Sequence, residues 1–456
     1  YATPWTGMNP LTYGLSITHS QKFDNIDFSG GLNYFNDQGY IGGTPEDKVS
    51  DTIFNKGAYA NRLKLYFNSR VRSTKVDGLH YGLNGNFMYQ ESAEAFFWYD
   101  ADTNIYRAFP GSLSRFKTLT GYADPFLKYY APNGDIHSLK NRVYYLRTDG
   151  LYNQSSISVT LFNEYQYTRK FRKFRDMHLV AGVSNIYAYA FGKVFSGQLS
   201  PDGTPTLGDN GTFHSENLSV YAQLEKKFFK RLTVLAGARY EYYQLADLHE
   251  SKPVFRAGIN FQALTGTFIR LSAGQGYRVP SIGERYITTT SGNFGFYPNP
   301  GLTSETSISY ELGFKQLYKI GKFAGMLDVA GFYEDYQGYV EFNFGNWGMN
   351  LVNPKKNVGF KFFNTGPARI YGIDISAAGE GDIFRGVNMG MLLGYTYAIP
   401  QALEPDLIFY DNPYNPANSL TYNKTSSDPS HQILKYRVQT MFKRSEERRV
   451  GKECRS

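Results

Sequence analysis

Apolar and polar residues alternate along this chain with a period of two, in long runs. Leu218, Val220, Ala222 and Leu224 alternate with Ser219, Tyr221, Gln223 and Glu225. Leu232, Val234, Ala236, Ala238 and Tyr240 alternate with Thr233, Arg239 and Glu241, with Leu235 and Gly237 as small or apolar exceptions. Ile308, Tyr310, Leu312 and Phe314 alternate with Ser307, Ser309, Glu311 and Lys315. Near the start, Leu63, Leu65 and Phe67 oppose Arg62, Lys64, Asn68 and Arg70. Successive side chains of a strand point to opposite faces, so each run predicts a strand with one apolar and one polar face. About sixteen such strands can be counted along the chain.

The connections alternate between short and long. Thr168 to Asp176 reads as a turn, and a long excursion rich in Gly, Pro and Asp follows Ala188. A short basic turn at Lys226 to Arg231 precedes a longer loop around Asp247 to Lys252, and a tight reversal at Ala263 to Thr267 precedes a long loop from Tyr277 to Glu305. Reversals at Lys319 to Lys322 and Gly379 to Arg385 precede the long loops Tyr333 to Asn364 and Ala398 to His431. One rim trimmed and the other elaborate is the pattern of an all-β, transmembrane antiparallel β-barrel.

Composition agrees with that reading. No apolar run approaches the roughly 18 residues of a spanning helix, and mean hydropathy is −0.43. Yet 17% of residues are aromatic, with 39 Tyr and 35 Phe, which suits interfacial girdles. A basic side chain on the lipid face at mid-membrane costs about 2 to 4 kcal/mol, so the charged faces must line a wet lumen. A soluble sandwich also alternates, but it needs neither the long strands nor their aromatic ends. The 456 residues carry no Pro/Ser-rich linker between strand groups, which predicts one continuous domain over residues 1–443.

The ends read differently. The chain opens at Tyr1 without a signal peptide, and residues 444–456 show no alternation and resemble the translation of a sequencing-library adapter. That tail is expected to be foreign to the barrel, a solvated basic tail being the alternative. It holds Cys454, the single cysteine, so the barrel is expected to have no disulfide or thiol chemistry. The chain carries a net charge of +8, and basic residues cluster in short turns at Arg169, Lys170, Arg172, Lys173 and Arg175 and at Lys226, Lys227, Lys230 and Arg231. At a membrane rim these meet lipid phosphates in preference to nucleic acid.

Two segments in order carry a family resemblance: Leu271-Ser-Ala-Gly-Gln-Gly-Tyr-Arg-Val-Pro-Ser-Ile-Gly-Glu-Arg-Tyr286, then Asn299-Pro-Gly-Leu-Thr-Ser-Glu-Thr-Ser-Ile-Ser-Tyr-Glu-Leu-Gly-Phe314. Together they resemble the barrel signature of TonB-dependent outer-membrane receptors. Asn364 to Ile375 is similar to a later strand of that family. Asp124-Pro-Phe-Leu-Lys-Tyr129, His137 to Arg142 and Ile433 to Arg437 resemble its Bacteroidetes branch. The resemblance implies part of a barrel of about 22 strands, truncated at both ends, with the plug domain expected before it and absent here. It implies an active importer that binds a scarce nutrient (siderophore-iron, cobalamin, haem or an oligosaccharide) at external loops. The implied partners are the TonB-ExbB-ExbD complex, acting through the plug, and outer-membrane lipid and lipopolysaccharide.

Within the motif, Gly274 and Gly276 are expected where the barrel bends or a backbone comes close, and Pro280 marks strand exit. Arg278 and Glu284 are expected to pair at the lumen wall, Asn299 and Glu305 to return the chain to the barrel, and Glu311 to face the lumen. Gly366, Pro367 and Gly372 suit strand geometry. The longest insertion is expected from Glu91 to Asn141, with Phe96, Phe97, Trp98, Tyr99, Tyr106 and Arg107 as ligand contacts; a second cluster comprises Tyr339, Phe342, Phe344 and Trp347. Loop packing or the lipopolysaccharide boundary would equally explain these aromatics. Asp100 and Asp102 are too few for a metal site, and no cofactor motif is present. An enzyme would need an acid/base or nucleophilic constellation, which the scattered His19, His80, His137, His178, His214, His249 and His431 do not supply. A passive porin and a surface adhesin remain as rival readings.

Overall fold

The structure, a computed structural model, describes residues 11–39, 41, 57–95, 99, 107–109, 112–151, 154–171, 174, 177–195, 211–291, 294–347, 358–384, 387–406, 408 and 435–441. The barrel wall begins with β1 (Thr12–Lys22), β2 (Ile26–Asp37), β3 (Tyr59–Arg72), β4 (Leu79–Ala95), β5 (Leu113–Tyr130) and β6 (Ile136–Gly150). It continues with β7 (Ser156–Phe171), β8 (Met177–Gly192), β9 (Gly211–Phe228), β10 (Leu232–Leu245), β11 (Leu248–Leu264) and β12 (Thr267–Arg278). Then come β15 (Glu305–Ile320), β16 (Phe323–Gln337), β19 (Ala368–Phe384), β20 (Val387–Ala402) and β21 (Lys435–Met441). These form one 17-stranded sheet in which each strand pairs antiparallel with the next. Two long connections carry a second, four-stranded sheet: β13 (Thr289–Ser291) and β14 (Phe294–Tyr297) after a helical turn α1 (Ile282–Tyr286), and β17 (Val340–Asn346) and β18 (Val358–Asn364).

The alternation resolves into a lipid face and a lumen face. Leu218, Val220 and Leu224 are exposed, Val220 at 54%, while Ser219 between them is 1% exposed and shares a hydrogen bond with Ser184 at 2.7 Å. Leu312 and Phe314 point outward beside Ile269 and Leu271. On the opposite face Arg270 donates to Glu311 at 2.7 Å and to Asp328 at 2.8 Å, and Lys315 pairs with Asp328 at 3.2 Å. Opposite charges therefore neutralise one another along the lumen wall. Gly237, noted as a break in the pattern, leaves room for the Arg256 side chain, which would lie 3.2 Å from an added Cβ.

Two expected loops are strand. Of the stretch Asp247 to Lys252, Leu248 to Lys252 belongs to β11, because the β10–β11 register runs up to Leu245 opposite Leu248, with only Ala246 and Asp247 between. Ala246 makes that reversal at φ 52°, in the left-handed region. The expected insertion Glu91 to Asn141 contains all of β5 and the start of β6, leaving only residues 96–112 as its connection. The excursion after Ala188 is likewise shorter, since β8 continues to Gly192 and β9 begins at Gly211. Apart from β6–β7 and β10–β11, whose connections are short, the alternation of short and long holds around the sheet.

Candidate functional site

The loop between β12 and β15 is tied down as soon as it leaves the wall. Pro280 is fully buried and its carbonyl accepts from the Tyr243 hydroxyl at 2.9 Å. Ser281 then caps α1: its Oγ accepts from the Glu284 N–H at 3.2 Å, and Glu284 accepts from the Ser281 N–H at 2.7 Å. This reciprocal cap satisfies two backbone donors that a short helical turn cannot satisfy itself. The remaining oxygen of Glu284 meets Arg278 at 2.8 Å, and Arg278 also donates to Glu305 across the β12–β15 ladder. The expected Arg278–Glu284 pair is therefore present, widened to three residues.

Arg285, which the sequence reading passed over, is 2% exposed and donates to the carbonyls of Leu245 (3.2 Å) and Pro300 and to Asp247 (3.2 Å). The Asp247 carboxyl sits below the usual range, held by its own backbone N–H and by the Arg285 charge. Tyr286 stacks on Phe213 at 3.9 Å within a cluster that includes Ala190, Tyr243, Leu245 and Ile282. Tyr243 and Leu245 lie on the lumen side of β10, so α1 is seated inside the mouth.

From there the loop crosses over. The Thr288 N–H donates to Val194 in the turn after β8 at 2.7 Å, and Gln154, between β6 and β7, donates to the Thr290 carbonyl at 3.1 Å. Beneath this crossing lies a pocket of about 360 Å³ lined by Glu94, Ser114, Phe116, Gln154, Ile287 and Phe296, among others. Asn299 and Asn364 then fasten the two long loops together: Asn299 donates to Phe362 O at 2.7 Å, while Asn364 accepts from the Thr303 N–H and donates to Gly338 O, both at 2.8 Å.

The second sheet has two unlike faces. Phe342 and Phe344 lie with Phe294, Phe296, Phe360 and Phe362, the Phe342–Phe362 and Phe342–Phe360 rings being 4.5 and 4.8 Å apart. Phe342 and Phe344 remain exposed, at 42% and 51%. Trp347 takes the other face, buried with Tyr297 and Phe363 and donating to Gly359 O at 2.9 Å. Gly359 is required there, since a Cβ would lie 1.9 Å from the Gly295 carbonyl of the neighbouring parallel strand.

The family profile described as "TonB dependent receptor-like, beta-barrel" matches residues 5–434. The chain belongs to the TonB-dependent receptor β-barrel family. It is accordingly an outer-membrane protein, and the lipid face described above is its membrane band. The fold is similar to the siderophore receptor PirA from Pseudomonas aeruginosa, with TM-score 0.62 and 11% identity over 86% of this chain and 65% of that one. It is also similar to the FrpB iron transporter from Neisseria meningitidis, with TM-score 0.60 and 13% identity over 91% of this chain and 62% of that one. A shorter stretch is 26% identical over 147 residues to the "Probable hemoglobin and hemoglobin-haptoglobin-binding protein 3" of Haemophilus influenzae. That match covers 31% of this chain and 13% of the relative.

In this receptor barrel the motif residues lie at the foot of the external loop assembly. Gly276 faces Ser307, whose Oγ would be 2.3 Å from an added Cβ, whereas Gly274 has its nearest neighbour at 3.8 Å; the ladder passes through both unbroken. Glu311 sits deeper, in the Arg270 network. Tyr339 packs edge-on against Tyr336 at 5.4 Å, and its carbonyl accepts from Thr365. On the β4–β5 connection the Tyr99 N–H donates to Arg107 O at 2.8 Å. Phe96, Phe97, Trp98 and Tyr106 lie outside the described residues, as do Asp100, Asp102 and residues 442–456.

Proposed function

We propose that this barrel belongs to an outer-membrane importer that captures a scarce nutrient on its external loops and passes it through the lumen with energy from TonB. The observation that carries the reading is the fastening of the β12–β15 and β16–β19 loops into one aromatic-faced platform over the mouth. A wide passive channel has no need to hold such a platform across its entrance. The chain spans 65% of the PirA structure and 13% of the Haemophilus relative, so activity, cargo and partners are inferred for the whole receptor. Siderophore-iron is the cargo favoured by what PirA is named for, and haem is proposed because the Haemophilus relative is named for binding haemoglobin; cobalamin and oligosaccharide remain within the proposal. The energising complex would be TonB with ExbB and ExbD. No catalytic role is proposed. The segment Asp124 to Tyr129, in β5, supports placement in the Bacteroidetes branch.

The test is uptake of labelled ferric siderophores and of haem in a strain lacking the receptor and complemented with the full-length gene. Uptake should require both the receptor and TonB, and Phe342→Ala/Phe344→Ala should lower it with the barrel still inserted. Transport that persists at full rate without TonB would instead identify a passive channel.

A further inference from the structure

The pocket of about 360 Å³ beneath the crossing loop has a one-sided chemistry. Glu94 and Ser114 lie opposite each other on β4 and β5. Leu83, Phe87 and Tyr89 are exposed on alternate residues of β4, on the lipid face, so Glu94 and Ser114 belong to the lumen face inside the mouth. Phe116 follows two residues along β5, Gln154 comes from the β6–β7 connection, and Phe296 from β14 in the second sheet. The strands of the wall thus supply the floor and the external loops the roof.

Glu94 is the one charged residue among the described lining residues, and it has neither an ion pair nor a hydrogen bond among the described residues. It differs in this from Glu284, Glu305, Glu311 and Asp328, each of which is held by an arginine. The Gln154 amide N–H₂ is committed to the Thr290 carbonyl at 3.1 Å, which fixes the orientation of the amide. Its Oε1 is buried without a donor. The open positions are therefore acceptors, a carboxylate and an amide oxygen, with the Ser114 hydroxyl able to serve in either role. Two phenyl rings complete the lining, and ring faces attract cations as the carboxylate does. An anionic group would find no countercharge there and would meet Glu94. Phe296 also stacks on Phe342 and Phe360, at 6.0 and 5.5 Å, so the pocket adjoins the phenylalanine face of the platform. We propose that this pocket takes an alkylammonium group of the cargo while the apolar body of the cargo lies against the phenylalanine face. An alkylammonium carries three N–H donors and no acceptor, the complement of this lining. The assignment to cargo rests on the importer reading; the affinity of the pocket for an ammonium does not.

The experiment uses the full-length receptor in zwitterionic phospholipid nanodiscs and two probes of matched size, benzylammonium and benzyl alcohol. Each is titrated at neutral pH by ligand-observed saturation-transfer NMR, with the signal from empty nanodiscs subtracted. Wild type should bind benzylammonium about fivefold more tightly than benzyl alcohol. Glu94→Gln should erase that preference by weakening the cation alone, with benzyl alcohol binding unchanged. Heat-modifiable migration on gels establishes that the variant is a folded barrel. Three results would overturn the site: benzyl alcohol held as tightly as the cation by the wild type, no saturable binding of benzylammonium, or a preference that survives in folded Glu94→Gln. None of these depends on TonB. A receptor that proves passive in the uptake assay can still carry the ammonium site, and a failed ammonium site leaves TonB-dependent uptake intact.

Discussion

Glu305 holds Arg278 with one carboxylate oxygen and the Val340 N–H, at 2.8 Å, with the other. Arg278 ends β12, Glu305 begins β15 and Val340 begins β17, so one carboxylate links two wall strands to the platform. Glu305→Ala should release β17 from the wall. Because Arg278 is partly solvated, the loss is set at about 1 to 2 kcal/mol, confined to the loops. Limited proteolysis of the full-length receptor would detect it as faster cleavage between β16 and β19. Unchanged cleavage would mean that the Asn299 and Asn364 contacts and the pairing of β14 with β18 hold the platform without it.

Arg285→Ala should be more disruptive. It removes the donor to the buried Leu245 carbonyl, at about 1 to 3 kcal/mol for an orphaned acceptor, and empties the space between α1 and the tip of β10. Hydrogen exchange at Ile287 and Thr288 should accelerate while the N–H groups of β9 stay protected. Arg285→Lys should recover only part of the effect, since one ammonium cannot reach the Leu245, Pro300 and Asp247 acceptors in fork geometry. Protection equal to wild type in the alanine variant would show that the Tyr286–Phe213 stack is sufficient.

The wall was legible in the sequence where large apolar side chains meet the lipid. Leu218 to Glu225 read correctly because apolar solvent on one side and water on the other impose strict alternation. The same strand begins at Gly211, yet His214 and Glu216 point outward above the band while Phe213 points inward onto Tyr286, so the apolar side switches faces and the pattern fades before the strand does. Strand β5 was hidden for a related reason: its outward residues include Gly121, Ala123 and Pro125, which carry too little apolar surface to register. The two-residue turn at Ala246 has no Gly or Asn to announce it. In the platform, Phe342 and Phe344 were seen as a cluster, but their partners Phe294, Phe296, Phe360 and Phe362 lie in other segments, and only pairing unites them. Arg285 had no reading of its own within the motif, because its burial against the tip of β10 is a tertiary fact.

Gly359→Ala tests the platform from within. The added methyl would meet the backbone carbonyl of Gly295, which no side-chain rotation relieves, so parallel pairing of β14 with β18 should be lost at a cost of about 3 kcal/mol or more. The barrel should still fold and insert, and cargo uptake should fall with the tryptophan emission of buried Trp347 shifting to longer wavelength. Retention of the blue emission would show that the two strands can separate without exposing that core.

Val220→Arg tests which face meets lipid. Val220 lies outward, flanked by Tyr240 on β10 and Val183 on β8, and a guanidinium there should cost about 2 to 4 kcal/mol of folding into vesicles. Gln223→Arg, on the lumen face beside Gly237, should cost far less. Similar midpoints for the two in urea titrations of refolding would contradict the assignment of faces.

Lys361 gives the platform a pH dependence of definite sign. It lies opposite Asn343 beside Phe363, and burial lowers its ammonium pKa below the ordinary value. Wherever the group is charged in both folded and unfolded chains, the desolvation of that charge opposes docking of β18. As pH rises through the lowered pKa towards the ordinary one, the folded chain releases its proton first, so the unfolded chain binds more protons and stability increases. The second sheet should therefore resist proteolysis better near pH 10 than near pH 8. Lys361→Met, which keeps the length of the side chain and removes its charge, should be at least as resistant at pH 8 and should lose the dependence. If the methionine variant is instead cut faster at pH 8, the charge of Lys361 is stabilising, and its burial is compensated by attraction to its surroundings.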